Sequence, residues 1–168
     1  MRIAYQRFGQ PGEIVRGVRD LSPRTVIVDV EPLIAYWDTD TAALSQGVAS
    51  FLEQVSASSG LLAVCFATNS RRRLPAAPAG HALSVLYVAS ARKPLRTAPY
   101  RDLPRPGVLI GDQIATDGAL AWRLGYSFIH YCPLPAATPW GPRLMSGAGR
   151  LFQPFLFRKE DTALPPEV

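Results

Sequence analysis

The sequence predicts an α/β fold with a mostly parallel sheet, and three observations carry that prediction. Short apolar runs rich in β-branched residues recur along the chain, amphipathic helical segments alternate with them, and the runs close on polar residues. Of the 168 residues, 48% are hydrophobic and 18% charged, enough apolar surface for one packed core, and the length leaves no room for two ordinary domains. That balance excludes wholesale disorder. The 16 prolines crowd the loops and the last third, where they shorten or interrupt helices.

Residues 25–30, Thr-Val-Ile-Val-Asp-Val, make a continuous run of the kind buried on both faces of a parallel sheet, the first core strand. Asp40 or Thr41 then caps a helix in which Ala43, Leu44, Val48, Phe51, Leu52 and Val55 recur at helical spacing, and Gly60 ends it. A second strand spans 61–67 and closes with Thr68-Asn69-Ser70. From Ser70 to Gly80, three consecutive arginines and two prolines predict mostly loop. Residues 82–89 form a third strand, followed by Arg92-Lys93-Pro94 and a proline-broken connection. The fourth strand runs from Gly107 to Asp112, and Thr116 or Asp117 caps a helix carrying Leu120, Ala121 and Leu124. Gly125 stops that helix, and 126–131 form a fifth strand. The first twenty residues receive no assignment. Residues 1–132 are thus read as the domain and 133–168 as a Pro-, Arg- and Phe-rich tail that is not a domain of its own.

In open parallel sheets ligands bind beyond the carboxyl ends of the strands, so polar residues at those ends are the candidates. They are Asp29 with Glu31, Thr68 with Asn69, Lys93, and Asp112 with Asp117. An acid that closes a buried strand is costly without a partner, and the set as a whole suits phosphate chemistry. Each member also has an ordinary structural reading: a loop acid for Asp29, helix caps for Asp112 and Asp117, a solvated lysine for Lys93, a strand-end turn for Thr68 and Asn69. His81 and His130 read as surface or core residues outside the site.

These residues resemble, in order, the four motifs of the haloacid dehalogenase (HAD) superfamily across residues 25–131. Gly111-Asp112-Gln113-Ile114-Ala115-Thr116-Asp117 is similar to that superfamily's Gly-Asp-x-x-x-x-Asp motif. Its Gly-Asp-Gln with Thr-Asp, together with Trp37, Lys93-Pro94 and Arg123-Leu124-Gly125, resembles the YqeG-like branch, which includes the mitochondrial-type phosphatidylglycerophosphate phosphatases. The resemblance implies a HAD-like Rossmannoid three-layer sandwich with a mostly parallel, five-stranded sheet. The gaps between motifs are too short for a large cap, so the site is expected to be open. It further implies that Asp29 is the nucleophile that becomes an aspartyl phosphate, and that Glu31 stands where an acid protonates the leaving group and then activates water. Magnesium would be held by Asp29, Asp112, Asp117 and the Glu31 carbonyl. Thr68 and Asn69 would hold a phosphoryl oxygen by a hydroxyl and a backbone amide, and Lys93 would neutralise charge on the nucleophile and the transferred group.

The first motif departs from the family pattern. Asp-x-Asp-x-Thr reads Asp29-Val30-Glu31-Pro32-Leu33 here, with one methylene added at the second acid and a hydroxyl lost at Leu33. Two functions are therefore carried forward: a magnesium-dependent phosphomonoester hydrolase acting on a soluble or a lipid phosphate such as phosphatidylglycerophosphate, and a weakly active or inactive HAD-like protein that binds a phosphorylated ligand or a protein partner.

Eighteen lysines and arginines against 13 acids give a net charge of +5, which favours anionic partners. Nucleic acid ranks last among them, because no reading module or aromatic-basic interleaving accompanies the charge. Arg71, Arg72 and Arg73 form either a solvated loop or a contact for an anionic head group. In the tail, Arg143, Arg150, Arg158 and Lys159 surround Leu144, Met145, Leu151, Phe152, Phe155, Leu156 and Phe157, a pattern that suits an anionic membrane surface or a segment folded back over the sheet. Cys65 and Cys132 match no zinc or redox spacing and read as a reduced, buried pair. No signal-peptide run or spanning helix is evident, so a cytoplasmic protein is expected, with peripheral membrane association open.

Overall fold

The computed structural model describes residues 2–36, 38–73, 82–133 and 153–159. In chain order its elements are β1 (Ile3–Phe8), α1 (Pro11–Leu21), β2 (Thr25–Asp29), α2 (Thr41–Ser56), β3 (Ala63–Ala67), β4 (Ser84–Val88), β5 (Gly107–Gly111), α3 (Ala119–Leu124), β6 (Ser127–Tyr131) and β7 (Phe157–Lys159). The strands lie in one sheet in the order β4-β3-β2-β5-β6-β1-β7, and every pairing among them is parallel. Such a sheet must be covered on both faces. On one face, Ile14 and Val18 of α1 and Leu44, Val48, Leu52 and Val55 of α2 pack on Val26, Val28, Val64, Val108, Ile110 and Ile129. On the other, Leu120, Ala121 and Leu124 of α3 pack with Tyr100, Tyr126, Ile27, Leu109 and Phe128. The arrangement is α/β and Rossmann-like.

The expected five strands become seven. The first addition is β1 with α1, formed by the residues left unassigned. Its signals are local: Pro11 occupies the first turn, the Glu13 carboxylate accepts from the Gly9 and Gln10 N–H groups at 3.2 and 3.0 Å, and Ile14, Val15 and Val18 are buried one turn apart. The second addition is β7. Strand residues 157–159 of the tail lie along β1, so the fold-back alternative holds for this segment. The Phe157 ring stacks on Phe128 at 5.4 Å between centroids and meets Tyr5 at 4.8 Å, whereas Phe155 is 72% exposed. Trp37, His81, the stretch 74–80 and the tail residues Arg143, Leu144, Met145, Arg150, Leu151 and Phe152 lie outside the described residues.

Asp40 is the cap of α2, accepting the Ala43 N–H at 2.7 Å. The expected cap at Thr116 or Asp117 is corrected, because helical backbone begins earlier, in a wide π turn at Ile114–Gly118 that contains both residues and runs into α3. Cys65 is buried, as expected, and burial pushes its thiol up to about 12. Cys132 is only partly buried, its sulfur accepting from the Arg7 Nε–H at 3.3 Å, and both cysteines are free. Among the described residues, no helix is long and apolar enough to cross a membrane.

Because Phe157 is buried against two rings, Phe157→Ala should destabilise the chain by about 3 kcal/mol and lower Tm on the order of 10 °C. A thermal melt within about 2 °C of wild type would show that β7 does not belong to the cooperative unit.

Candidate active site

The central strands end level with one another. Asp29 pairs with Ala67, and Val28 with Ile110, so Asp29, Thr68 and Asp112 leave the sheet at one rim. That rim lies where the strand order reverses, since the chain steps from β2 to β3 and β4 on one side and then crosses back to β5 on the other, the usual place for a ligand in such a sheet. All seven residues singled out from the sequence reach this end.

The Lys93 side chain, 2% exposed, is the centre of the arrangement. Its Nζ lies 2.7 Å from Asp29 Oδ1 and 2.7 Å from Asp117 Oδ1, and it donates to the Ala67 carbonyl at 3.3 Å. The ammonium group thus has three oxygens within 3.3 Å. Burial on its own would lower the lysine pKa, but Asp117 and Asp29 outweigh it and hold the group protonated above its ordinary value. The lysine backbone is fixed as well. Asn69 Oδ1 accepts the Lys93 N–H at 2.7 Å, and Asn69 Nδ2 donates to the Lys93 carbonyl at 3.3 Å. The Asn69 side chain therefore positions Lys93, which leaves only its backbone amide for the phosphoryl role that the resemblance implies.

Asp29, Asp112 and Asp117 form a cluster in which one carboxylate oxygen of each lies within 4.8 Å of the others. Asp117 comes from the π turn, folds back over Gly111 and accepts the Gln113 N–H at 3.2 Å. A Cβ at position 111 would occupy the space of the Asp117 side chain, which is why glycine precedes Asp112. One lysine faces three carboxylates. Burial first, and Asp117 second, push Asp112 up to about 7. The same two causes raise Asp29 well above the ordinary aspartate range against the pull of Lys93. Asp112 Oδ1 is buried with no hydrogen-bond partner among the described residues. An oxygen-only donor set with surplus negative charge and an unpartnered carboxylate oxygen fits a hard divalent cation.

Glu31 is brought to the site, but its carboxylate is not part of that cluster. Thr68 Oγ1 donates to Glu31 Oε2 at 2.6 Å, Ser70 Oγ donates to Oε1 at 3.3 Å, and Arg72 lies 3.6 Å from Oε1. The extra methylene reaches the end of β3. Arg72 also donates to the Tyr36 and Thr39 carbonyls at 2.6 and 2.7 Å, so the middle arginine of the triplet ties two loops together. Asp29, Glu31, Thr68, Asn69, Ser70, Gln113 and Thr116 line a cleft of about 90 Å³. That is on the order of three water volumes, enough for a small polar group and too little for a whole organic substrate.

The sequence reading missed Ser70, Gln113 and Thr116, each one residue from a motif residue, and left Arg72 between a solvated loop and an anion contact. It also missed His130, whose Nε2 lies 3.0 Å from the Asp112 carbonyl. That contact corrects the expectation that no histidine approaches the site, and no spacing rule connects residue 130 with residue 112. No protein-family model, curated protein or solved structure matches this chain.

The raised Asp112 carboxyl fixes the sign of a pH effect. A folded pKa of about 7, above the ordinary 3.8, means that folding takes up a proton between those values. This component of stability is full below the unfolded pKa and is lost as pH rises towards 7. Asp112→Asn should flatten that part of the Tm profile. A cation held by these three carboxylates would compete with the same proton, so magnesium should raise the wild-type Tm at pH 8 more than at pH 5. Equal increments at both pH values would sink the assignment.

Proposed function

We propose that this chain is a magnesium-dependent phosphomonoester hydrolase of the HAD type, working through an aspartyl phosphate on Asp29. The observation that carries this reading is the buried Lys93 ammonium, shared by Asp29 and Asp117 beside the underpartnered Asp112 at the rim of a small polar cleft. Asp29, Asp112 and Asp117 would hold the cation, with the Glu31 carbonyl as the resemblance implies. When bound, it supplies the positive charge that lets a phosphoryl dianion approach a carboxylate.

The remaining roles fall to side chains. Lys93 engages Asp29 Oδ1, which orients the other oxygen for attack. An Asp29 O–P bond forms as the P–O bond to the alcohol breaks. A protonated Glu31 gives its proton to the departing oxygen. Glu31 then takes a proton from water, whose oxygen attacks phosphorus, breaks the Asp29 O–P bond and releases inorganic phosphate. Asp29 and a protonated Glu31 are restored. Thr68 Oγ–H, turned from Glu31, and the Asn69 amide would bind a phosphoryl oxygen, while Lys93 offsets the charge that builds on the group. The cleft holds a phosphoryl group and leaves the alcohol outside. This suits a bulky leaving group, including the glycerol of a lipid phosphate, as well as a soluble ester.

A second reading is favoured by the hold that Thr68, Ser70 and Arg72 have on Glu31. A carboxyl retained there would leave a HAD-like protein that binds a phosphorylated ligand or partner with little turnover.

Phosphate release by the full chain with magnesium, across soluble phosphomonoesters and phosphatidylglycerophosphate vesicles, should exceed background on at least one substrate. Asp29→Asn should abolish it, and Glu31→Gln should lower kcat by about a hundredfold or more. Background rates throughout, equal in wild type and Asp29→Asn, would favour the binding protein.

A further inference from the structure

His130 touches the Asp112 carbonyl and Tyr5 of β1 touches His130, yet neither has a part in the proposed hydrolysis. Tyr5 of β1 and His130 of β6 lie on one face of neighbouring strands, with Tyr5 paired to Phe128 and Arg7 to His130. Tyr5 Oη is 2.7 Å from His130 Nδ1, and His130 Nε2 is 3.0 Å from the Asp112 carbonyl oxygen. A carbonyl can only accept, so in the neutral ring Nε2 carries the proton and donates to it. Nδ1 is then the acceptor, and the Tyr5 hydroxyl donates to it. The Cys132 sulfur is 3.4 Å from the same Nε2, a longer contact to a weaker acceptor.

The peptide that receives this bond joins Asp112 to Gln113. Its opposite edge is the Gln113 N–H, which donates to Asp117 Oδ2 at 3.2 Å. One peptide unit is thus gripped at both edges, by His130 at its oxygen and by the Asp117 carboxylate at its nitrogen. A planar peptide cannot turn at one edge without turning at the other. Its orientation therefore sets both where Asp112 projects and where Asp117 Oδ2 rests. The imidazole is itself immobilised, stacked on Phe128 at 5.7 Å between centroids and flanked by Tyr5 at 5.9 Å.

We infer that Tyr5 and His130 are positioning residues for the cation site, a hydrogen-bonded chain from the N-terminal strand that holds Asp112 and Asp117 in ligating geometry. This rests on the reading of Asp29, Asp112 and Asp117 as cation ligands. It gives the N-terminal β1 a functional part, since the donor that orients the histidine comes from that strand. Partners of this kind, one bond removed from a ligand, typically change metal affinity or activity by about 10- to 100-fold.

The test uses the full chain and its affinity for Mn²⁺ and Mg²⁺ by isothermal titration, together with hydrogen exchange at the Gln113 amide in the metal-free protein. His130→Phe keeps the ring stack and removes both hydrogen bonds. It should weaken cation binding about 10- to 100-fold and speed exchange at Gln113. His130→Gln, whose amide nitrogen can replace the Nε2 donor, should recover most of the affinity, a rescue that loss of packing would not explain. Tyr5→Phe should fall between wild type and His130→Phe, and it serves should His130→Phe fold poorly. Wild-type affinity and Gln113 exchange in both Tyr5→Phe and His130→Phe would overturn the inference and leave the proposed hydrolase standing. Absence of cation binding by the wild-type chain would overturn the cation reading itself, and the positioning role with it.

Discussion

A single ammonium group between two carboxylates is the constraint around which the functional end of this molecule is built. Removing Lys93 Nζ, Asp29 and Asp117 from water carries a penalty of several kcal/mol per ion, which only close, well-aligned contacts offset. The two 2.7 Å ion pairs and the bond to the Ala67 carbonyl meet that requirement, and they require β2, β3, the loop after β4 and the π turn after β5 to converge. Asn69 secures the lysine backbone from a third direction. The surplus of carboxylate over ammonium remains: burial first, and the neighbouring Asp117 second, raise the Asp112 pKa, and one Asp112 oxygen has no hydrogen-bond partner among the described residues. That excess is what the proposed cation would offset.

The sheet extends well past the strands that carry the motifs. β6, β1 and β7 lie to one side of β5, and Phe128 of β6 and Phe157 of β7 lie against the π turn at Gly118. Any Cβ at Gly118 would crowd the Phe157 ring, and His130 bonds the Asp112 carbonyl, two residues before the turn begins. A π turn places one more residue in the turn than an α-helix would, and such turns often occur at functional sites. Here the extra room lets Asp117 fold back over Gly111 to reach both Lys93 and the Gln113 amide.

The loop after β2 carries Glu31, Pro32 and Leu33. Glu31 reaches across to the end of β3, and Thr68, Ser70 and Arg72 give it three partners. The same loop packs against α2 so closely that a Cβ on Gly47 would meet the Ile34 carbonyl. Position 31 is therefore not a flexible arm. Its carboxyl occupies one wall of the cleft, and proton transfer by it requires the leaving oxygen to come to that wall.

The sequence by itself determined the α/β class, the strands that end at the site and the seven residues that gather there. These are local properties: a β-branched run buries its strand, and the polar residue that closes it must emerge at one end of a parallel sheet. The βα unit at the N-terminus was also written locally, in Pro11, Glu13 and the spacing of Ile14 and Val18. Tertiary structure alone decided that Asn69 holds Lys93, that Glu31 turns to Thr68, that residues 157–159 extend the sheet, and that His130 grips the peptide before the π turn. Each joins residues about 20 to 150 positions apart through contacts of about 3 to 5 Å. Hydrogen bonds and ring stacks of that range depend on how strands are ordered across the sheet, and strand order is set by packing of the whole chain rather than by the residues that meet.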